Sequence, residues 1–249
     1  MIKVLINGIN GKMGQMLVNK ISSDEELSVV CGIDIQENPE FPVYQNPADI
    51  REECDLIIDF SVPQATLEIL AYAETKKLPI VIGTTGFSPE ENEIIKIYSG
   101  HLPIFKSANM SFQVNLLTKL LIEIAPQLPA ADIEIVETHH NRKKDAPSGT
   151  ALMLAAKINE AMDNTMTYTF DRHGESRPRN KNEIGIHSIR GGAIVGKHTV
   201  MFIGEDETLE ISHSADSKAI FADGAIKAAK FIIAKPNGLY DMNDLLESK

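Results

Sequence analysis

The sequence predicts an α/β fold, a Rossmann-type doubly wound parallel sheet joined to a second α+β domain with an open mixed sheet. Three observations predict it. Up to Asn109 the chain alternates short β-branched runs with amphipathic helical stretches, the pattern of a parallel sheet with crossover helices. A turn with regularly spaced glycines, "NGINGKMG", separates the first such run from the first helical stretch. Beyond Asn109 most of the strand-like runs follow one another without helices between them, which is the habit of mixed or antiparallel sheets.

In order, strands are expected over residues 3–7, 28–33, 55–60, 79–82 and 103–106, with helices over 13–22, 64–75 and 89–99. The second region begins with "FQVNLLTKLLIEIA", a long helix, and "ADIEIVETHH", an alternating strand. "SGTALMLAAKINEAM" reads as a helix, followed by the strands "TMTYTF", "IGIHSIR", "GKHTVMFIG" and "TLEISHSA". The Ala-rich stretch "AIFADGAIKAAKFIIA" has no place in that sheet, so it is expected to pack back on the first domain. The domains are therefore 1–110 with 218–249, and 111–217.

Composition narrows the function. With 43% hydrophobic and 24% charged residues in 249, the chain is an ordinary globular protein, and disordered or fibrous classes drop out. The apolar run at the start is too short for a secretory leader, and no segment approaches the ~18 apolar residues of a membrane span, so a cytoplasmic protein without a membrane partner is expected. A formal charge of -11 argues against nucleic acid as a partner, because counterion release needs a basic face. Cys31 and Cys54 lack a CxxC or metal spacing and adjoin apolar runs, so buried thiols are expected rather than a disulfide.

The opening loop places Gly8, Gly11 and Gly14 between strand and helix, where backbone amides can approach a pyrophosphate. The spacing G-x-x-G-x-x-G departs from the usual dinucleotide fingerprint, and a tight turn without a ligand explains it nearly as well. Asp34, at the end of the second strand, strengthens the coenzyme reading, since a carboxylate there can accept both ribose hydroxyls of an adenosine. It would repel a 2′-phosphate, and no Lys or Arg follows it before Arg51, so NADH is favoured over NADPH. Lys12 in the glycine loop keeps NADPH in play. Later strand ends carry "DFSVP", "GTTG" and "KSANM", loops placed where a nicotinamide would lie. Each could equally do no more than cap the following helix, a task that suits Ser61 and Ser88.

The stretch "ETHHNRKKDAPSGTA" concentrates the chemistry. His139 and His140 end a strand, so their side chains leave on opposite faces and cannot share a metal; no metal is expected. A histidine can carry a proton near neutral pH, and Lys143 can act as a general acid. Ser148 reads as an N-cap, which points the Gly149 and Thr150 amides out of the helix start, ready for a carboxylate. Taken alone, Arg142, Lys143 and Lys144 suit a solvated loop. Beside a dinucleotide loop they point to a small anion, one with more than one carboxylate.

That stretch resembles the signature of the dihydrodipicolinate reductase family, whose members reduce 4-hydroxy-tetrahydrodipicolinate in the diaminopimelate route to lysine. The resemblance covers nearly the whole chain, through "NGINGKMG", "DLIIDFSVP", "VIGTTGFS", "SANMSFQVN", the paired histidines, "IRGGAIVGKHTVMFIGEDETLEISHSA" and "FADGAIKAA". It implies coenzyme contacts at Gly8, Ile9, Asn10, Gly11, Lys12, Met13, Asp34, Gly83, Thr84, Thr85, Ser107, Ala108, Asn109 and Met110. It implies proton donors at His139 and Lys143, and substrate contacts at His140, Gly149 and Thr150. It also implies a homotetramer built through the sheet of the second domain. Gln113 stands where the family usually has glycine, and Lys218 where arginine is common. Two other readings share the glycine loop: another two-domain nicotinamide oxidoreductase, and a dinucleotide sensor without catalysis.

Overall fold

The computed structural model describes residues 1–174 and 177–248, which fall into two compact units, Met1–Phe112 with Ala219–Lys249, and Gln113–Lys218. In the first unit the elements run β1 Ile2–Asn7, α1 Lys12–Ile21, β2 Leu27–Ile33, β3 Val43–Tyr44, β4 Leu56–Asp59, α2 Pro63–Lys76, β5 Ile80–Ile82, α3 Pro89–Ser99 and β6 Pro103–Lys106. Next come α4 Phe112–Ile124, β7 Asp132–His139, α5 Gly149–Ala161, β8 Thr167–Thr169, β9 Glu183–Arg190, β10 Gly196–Ile203 and β11 Thr208–Ala215. The chain then returns to the first unit with α6 Ala219–Ile232, β12 Gly238–Tyr240 and α7 Met242–Glu247.

Seven strands form the first sheet, in the order β12-β6-β5-β4-β1-β2-β3, every pair parallel. This is the doubly wound order the sequence predicts. Successive strands lead outward from β1 in opposite directions, so the sheet has its topological switch point between β1 and β4. Central strands are buried on both faces, which is why "VLI" and "LIID" read as continuous apolar runs rather than alternating ones. On one side Val4, Ile6, Leu56, Ile58 and Val81 pack with Ala222, Ala225, Ala229 and Ile232 of α6. On the other, Leu5, Ile57, Ile80 and Ile82 pack with Ile69 and Leu70 of α2 and Ile95 of α3.

The second sheet has the order β11-β10-β7-β9-β8 and is mixed, with β10 antiparallel to β7 and β11, and β9 parallel to β7 and β8. Along β7, Ile133, Ile135 and Glu137 point to one face and are fully buried there, the isoleucines against Leu117 and Leu121 of α4 and Leu154 and Ile158 of α5. The opposite face presents polar residues together with Ile189, which is 50% exposed.

Three short elements, β3, β12 and α7, went unpredicted because two to six residues carry no readable period. Ser88 caps α3 with a full capping box to Glu91, whereas Ser61 caps nothing. Val62 is the N-cap of α2, and the Ser61 hydroxyl is drawn instead to Asp59 Oδ1 at 2.5 Å. Both cysteines are free, but only Cys31 is buried; Cys54 is half-buried because it lies in the loop before β4 rather than in a strand.

Candidate active site

Two sites emerge, one in each unit. In the first unit the carboxyl ends of the strands surround a cleft of about 510 Å³ lined by Lys12, Met13, Phe60, Ser61, Gly83, Thr84, Thr85, Ala108, Met110 and Phe221. Seven of the sequence-predicted coenzyme residues therefore line one cavity, and Phe60, Ser61 and Phe221 join them.

The cleft is built on a buried carboxylate. Asp59 is fully buried and accepts hydrogen bonds from Asn7 Nδ2 at 2.8 Å, Ser61 Oγ at 2.5 Å and Thr66 Oγ1 at 2.6 Å. Burial pushes its carboxyl above the usual carboxylate range, although those donors oppose it. Asn7 also reaches Ser61 Oγ at 3.0 Å, and the Ser61 amide donates to Thr84 Oγ1 at 2.8 Å. The hub thus ties the ends of β1 and β4 to the loop after β5.

Within the glycine loop itself most amides already have partners in the protein. Gly8 has φ 84°, and a Cβ there would sit 2.6 Å from the Phe60 carbonyl oxygen, so only glycine fits. The Gly8 and Ile9 amides are spent on the Ile33 carbonyl at 2.8 and 3.4 Å, the Gly11 amide on the Gly8 carbonyl at 3.0 Å, and the Asn10 amide on Asp34 Oδ2 at 2.9 Å. Ile9 is fully buried and contributes its side chain to the core. The amides that face outward are those at the start of α1, whose N-cap Gly11 offers no side-chain cap and whose first turn has no acidic residue. An anion would meet Lys12, Met13 and the positive end of the helix there.

Asp34 follows β2 and holds the loop in place. Besides the Asn10 amide it accepts from the Ile35 amide at 2.8 Å, and the Asn10 side chain runs on to the Gln36 carbonyl at 2.8 Å. Each carboxylate oxygen keeps a lone pair for a further donor. Ser107, Asn109 and Ser111 are linked in a turn after β6, with Ser107 Oγ 2.9 Å from the Asn109 carbonyl and the Ser111 amide 2.9 Å from Asn109 Oδ1.

The second unit holds a network of charged side chains. Glu137 lies fully buried at its centre and takes two parallel bonds from Arg190, Nη1 to Oε2 at 2.8 Å and Nη2 to Oε1 at 2.7 Å. His139 Nδ1 lies 2.6 Å from Glu137 Oε2, and the Ser148 amide donates to Glu137 Oε1 at 3.1 Å. One carboxylate therefore touches a guanidinium, an imidazole and the N-cap of α5. Burial favours protonation of Glu137, but bonds from Arg190, Ser188 and His139 outweigh it and hold the carboxyl at about 2.

Ser148 does cap α5, accepting from the Ala151 amide at 3.1 Å, and its hydroxyl also meets His198 Nε2 at 2.8 Å. His198, His213 and Glu137 lie side by side across neighbouring strands, at paired positions of β10, β11 and β7. Burial and the nearby His139 and His213 rings depress His198 to about 4, so it is neutral near neutral pH. Burial likewise lowers His139, against the pull of Glu137. The His139 and His198 rings meet edge to face at 5.2 Å, and Gly196 gives the imidazole room, since a Cβ there would stand 3.0 Å from His139 Nε2.

The remaining expected residues join through the same network. Lys143 Nζ pairs with Asp145 Oδ2 at 2.8 Å, and the Asp145 carbonyl accepts from Arg190 Nη2 at 2.7 Å. The Lys143 amide closes a turn on the His140 carbonyl at 3.1 Å. His140 lies just past the end of β7, with a buried Nδ1 that has no protein partner. Gly149 and Thr150 form the first turn of α5, which carries no acidic side chain.

The sequence reading missed Glu137, Arg190 and His198. A signal for the first was present: in a strand, residues two apart share a face, so Glu137 and His139 had to be neighbours. Arg190 and His198 reach the site through pairing of β9 and β10 with β7, which no local spacing reveals.

Comparison with known proteins finds relatives over nearly the whole chain. Residues 2–110 match the family model described as dihydrodipicolinate reductase, N-terminus, and residues 113–246 match its C-terminus. A curated protein of Caldanaerobacter subterraneus subsp. tengcongensis, called 4-hydroxy-tetrahydrodipicolinate reductase, is 47% identical over 248 residues, 99% of each chain. One of the same name from Clostridium tetani is 45% identical over 251 residues, covering 100% of this chain and 98% of its own. Among solved structures, the dipicolinate-bound dihydrodipicolinate reductase of Paenisporosarcina sp. TG-14 superposes with a TM-score of 0.82 at 25% identity, covering 98% of this chain and 99% of that one.

Proposed function

The chain belongs to the dihydrodipicolinate reductase family, and from that premise we propose how its residues carry out the reaction. The enzyme reduces 4-hydroxy-tetrahydrodipicolinate to tetrahydrodipicolinate with a nicotinamide coenzyme, in the diaminopimelate route to lysine. One hydride and one proton are added and water is lost. The observation that carries the reading is the contact of Glu137 with both His139 and the Ser148 amide, which joins a proton carrier to an anion-binding helix start.

The residues of the first unit fit a nicotinamide dinucleotide. The uncapped start of α1 with Lys12 suits the pyrophosphate, and Asp34 suits the two ribose hydroxyls. The cleft offers Phe60, Met13 and Phe221 as apolar walls and Ser61, Thr84 and Thr85 as polar ones. Gly83, Ala108 and Met110 complete its lining, while Gly8, Ile9, Asn10 and Gly11 shape the loop, and Ser107 and Asn109 the turn, that frame it. When bound, the coenzyme supplies the hydride. NADH is preferred, because the Asp34 carboxylate favours hydroxyl donors and repels a 2′-phosphate; Lys12 limits that preference.

A substrate dicarboxylate meets the α5 amides of Gly149 and Thr150 together with His140, and the basic side chain of Lys143 balances its charge. The solved relative that carries dipicolinate supports a ligand of this class. His139 donates Nδ1–H to Glu137, which leaves Nε2 as the atom that carries the transferable proton. The buried carboxylate steadies the imidazolium form, and Arg190 keeps that carboxylate ionised. Lys143, placed by Asp145, is the second proton donor.

A homotetramer and cytoplasmic residence complete the proposal. The face of the second sheet opposite α4 and α5, with the half-exposed Ile189, supports the first. The two free thiols support the second. Among the described residues no helix is long and apolar enough to cross a membrane.

The test follows nicotinamide absorbance with freshly generated 4-hydroxy-tetrahydrodipicolinate, with NADH and NADPH in parallel. Oxidation that needs both enzyme and substrate is expected, faster with NADH at low coenzyme concentration. Tight coenzyme binding without oxidation would return the protein to the sensor reading.

A further inference from the structure

Cys31 and Cys54 lie 23 positions apart in sequence, yet their sulfur atoms stand 3.8 Å apart. Cys31 is in β2 and wholly buried, while Cys54 is half-buried in the loop before β4. We propose that this pair is a site of reversible oxidation, at which hydrogen peroxide converts the two thiols into an intramolecular disulfide.

Several features of the surroundings suit that chemistry. An S–S bond requires the sulfurs to approach by less than ~2 Å. The strand can yield at that point, because the register of β1 and β2 slips there, with Val4 opposite Val29 but Leu5 opposite Cys31. Cys54 is only half-buried, so a small oxidant can reach its sulfur from solvent, and it packs against the same core cluster as Ile50 and Tyr72, two residues that line a nearby cleft of about 810 Å³. Glu52 lies next to the pair: its backbone carbonyl is 3.7 Å from Cys54 Sγ, its Oε1 accepts from the Tyr44 hydroxyl at 3.2 Å, and its Oε2 is buried without a partner. That orphaned carboxylate oxygen is a ready proton acceptor. The thiols differ in access: Cys54 is half-buried and Cys31 wholly buried, and contact with Cys31 lowers Cys54 although burial and the Glu52 and Asp55 charges oppose it.

The sequence of steps follows. The Cys54 thiolate attacks one peroxide oxygen, the O–O bond breaks, and hydroxide leaves and takes up the Cys54 proton as water. Cys31 sulfur then attacks the Cys54 sulfenic sulfur, its proton passes by way of Glu52 to the departing hydroxyl, and a second water leaves. Overall, two thiols and one hydrogen peroxide give one disulfide and two waters. The bridge would bear on the coenzyme end of the unit, because β2 continues into Ile33 and Asp34, which hold the Gly8, Ile9 and Asn10 amides.

The full-length protein, treated with a modest excess of hydrogen peroxide, is examined by intact and peptide mass spectrometry before and after dithiothreitol. A loss of about 2 Da, a cross-linked peptide joining Cys31 to Cys54 and full reversal by dithiothreitol are expected. Retention of both thiols, or direct passage of Cys54 to sulfinic acid, would overturn the proposal. A second arm uses Cys31→Ala with dimedone, a trap for sulfenic acids. Cys54 should be labelled in that variant and spared in the parent; equal labelling of both would show that Cys31 does not resolve the oxidised Cys54.

Discussion

The two sites achieve order by opposite means. The cleft of the first unit is shaped by backbone: Gly8 under the Phe60 carbonyl, loop amides folded onto Ile33, and one buried carboxylate, Asp59, bracing the strand ends. The site of the second unit is shaped by side chains gathered from three strands and a helix around Glu137. A site made of backbone tolerates exchange of its exposed side chains and fails when the turn is altered. A site made of side chains has a hub, and losing one charge at the hub leaves others buried and unpaired.

The sharpest test separates the two halves by their losses. His139→Ala or Lys143→Ala should lower kcat by about 10²- to 10⁴-fold, the usual range for a positioned proton donor, while NADH binding stays as it was. An unchanged rate in either variant removes that residue from the chemistry. Glu137→Gln should come next, with a loss of roughly 10²-fold, because the imidazolium loses its anion and Arg190 loses its partner. Its signature is in the pH profile: without the carboxylate the His139 limb of kcat moves to lower pH. A rate loss with an unmoved limb would mean that Glu137 only supports the fold.

In the first unit, Asp34→Ala should weaken NADH by roughly tenfold, as expected for lost bonds to a charged group, and weaken NADPH less. Isothermal titration with both coenzymes reads this, and equal losses would show that Asp34 serves the glycine loop alone. The mildest effect belongs to Ser148→Ala, at about 1–2 kcal/mol of stability, since the substitution removes a cap and a bond to His198.

Acid should expose the second site in two stages. His198 is held near 4, below the ordinary histidine value, so the unfolded chain binds its proton first and stability falls as pH drops from about 6.5 to 4. Glu137 is held near 2, so its contribution is complete above the ordinary glutamate value and is lost as pH falls from about 4.5 to 2. Melting temperature measured against pH should show both, and His198→Gln should flatten only the upper one.

The same contrast decides what the sequence could tell. The parallel, doubly wound character of the first unit's sheet follows from apolar runs and intervening helices, and the glycine loop with Asp34 can be read from spacing. What spacing could not show is that the loop amides are already spent and that the outward-facing ones belong to Lys12 and Met13. In the second unit His139, Lys143 and the Ser148 cap were local enough to read. Arg190 and His198 arrive from strands 51 and 59 residues beyond His139, so only the pairing of β9 and β10 with β7 discloses them.

One feature bears on how the protein is made. The first unit is interrupted by the second: α6 and β12, which complete one face and one edge of its sheet, come from the last stretch of chain. During synthesis the first 112 residues would wait on the ribosome with Val4, Ile6 and Val81 lacking their α6 cover, while the inserted unit, continuous in sequence, is free to fold first. A nascent chain stopped before Ala219 should therefore depend on chaperones in a way the finished protein does not.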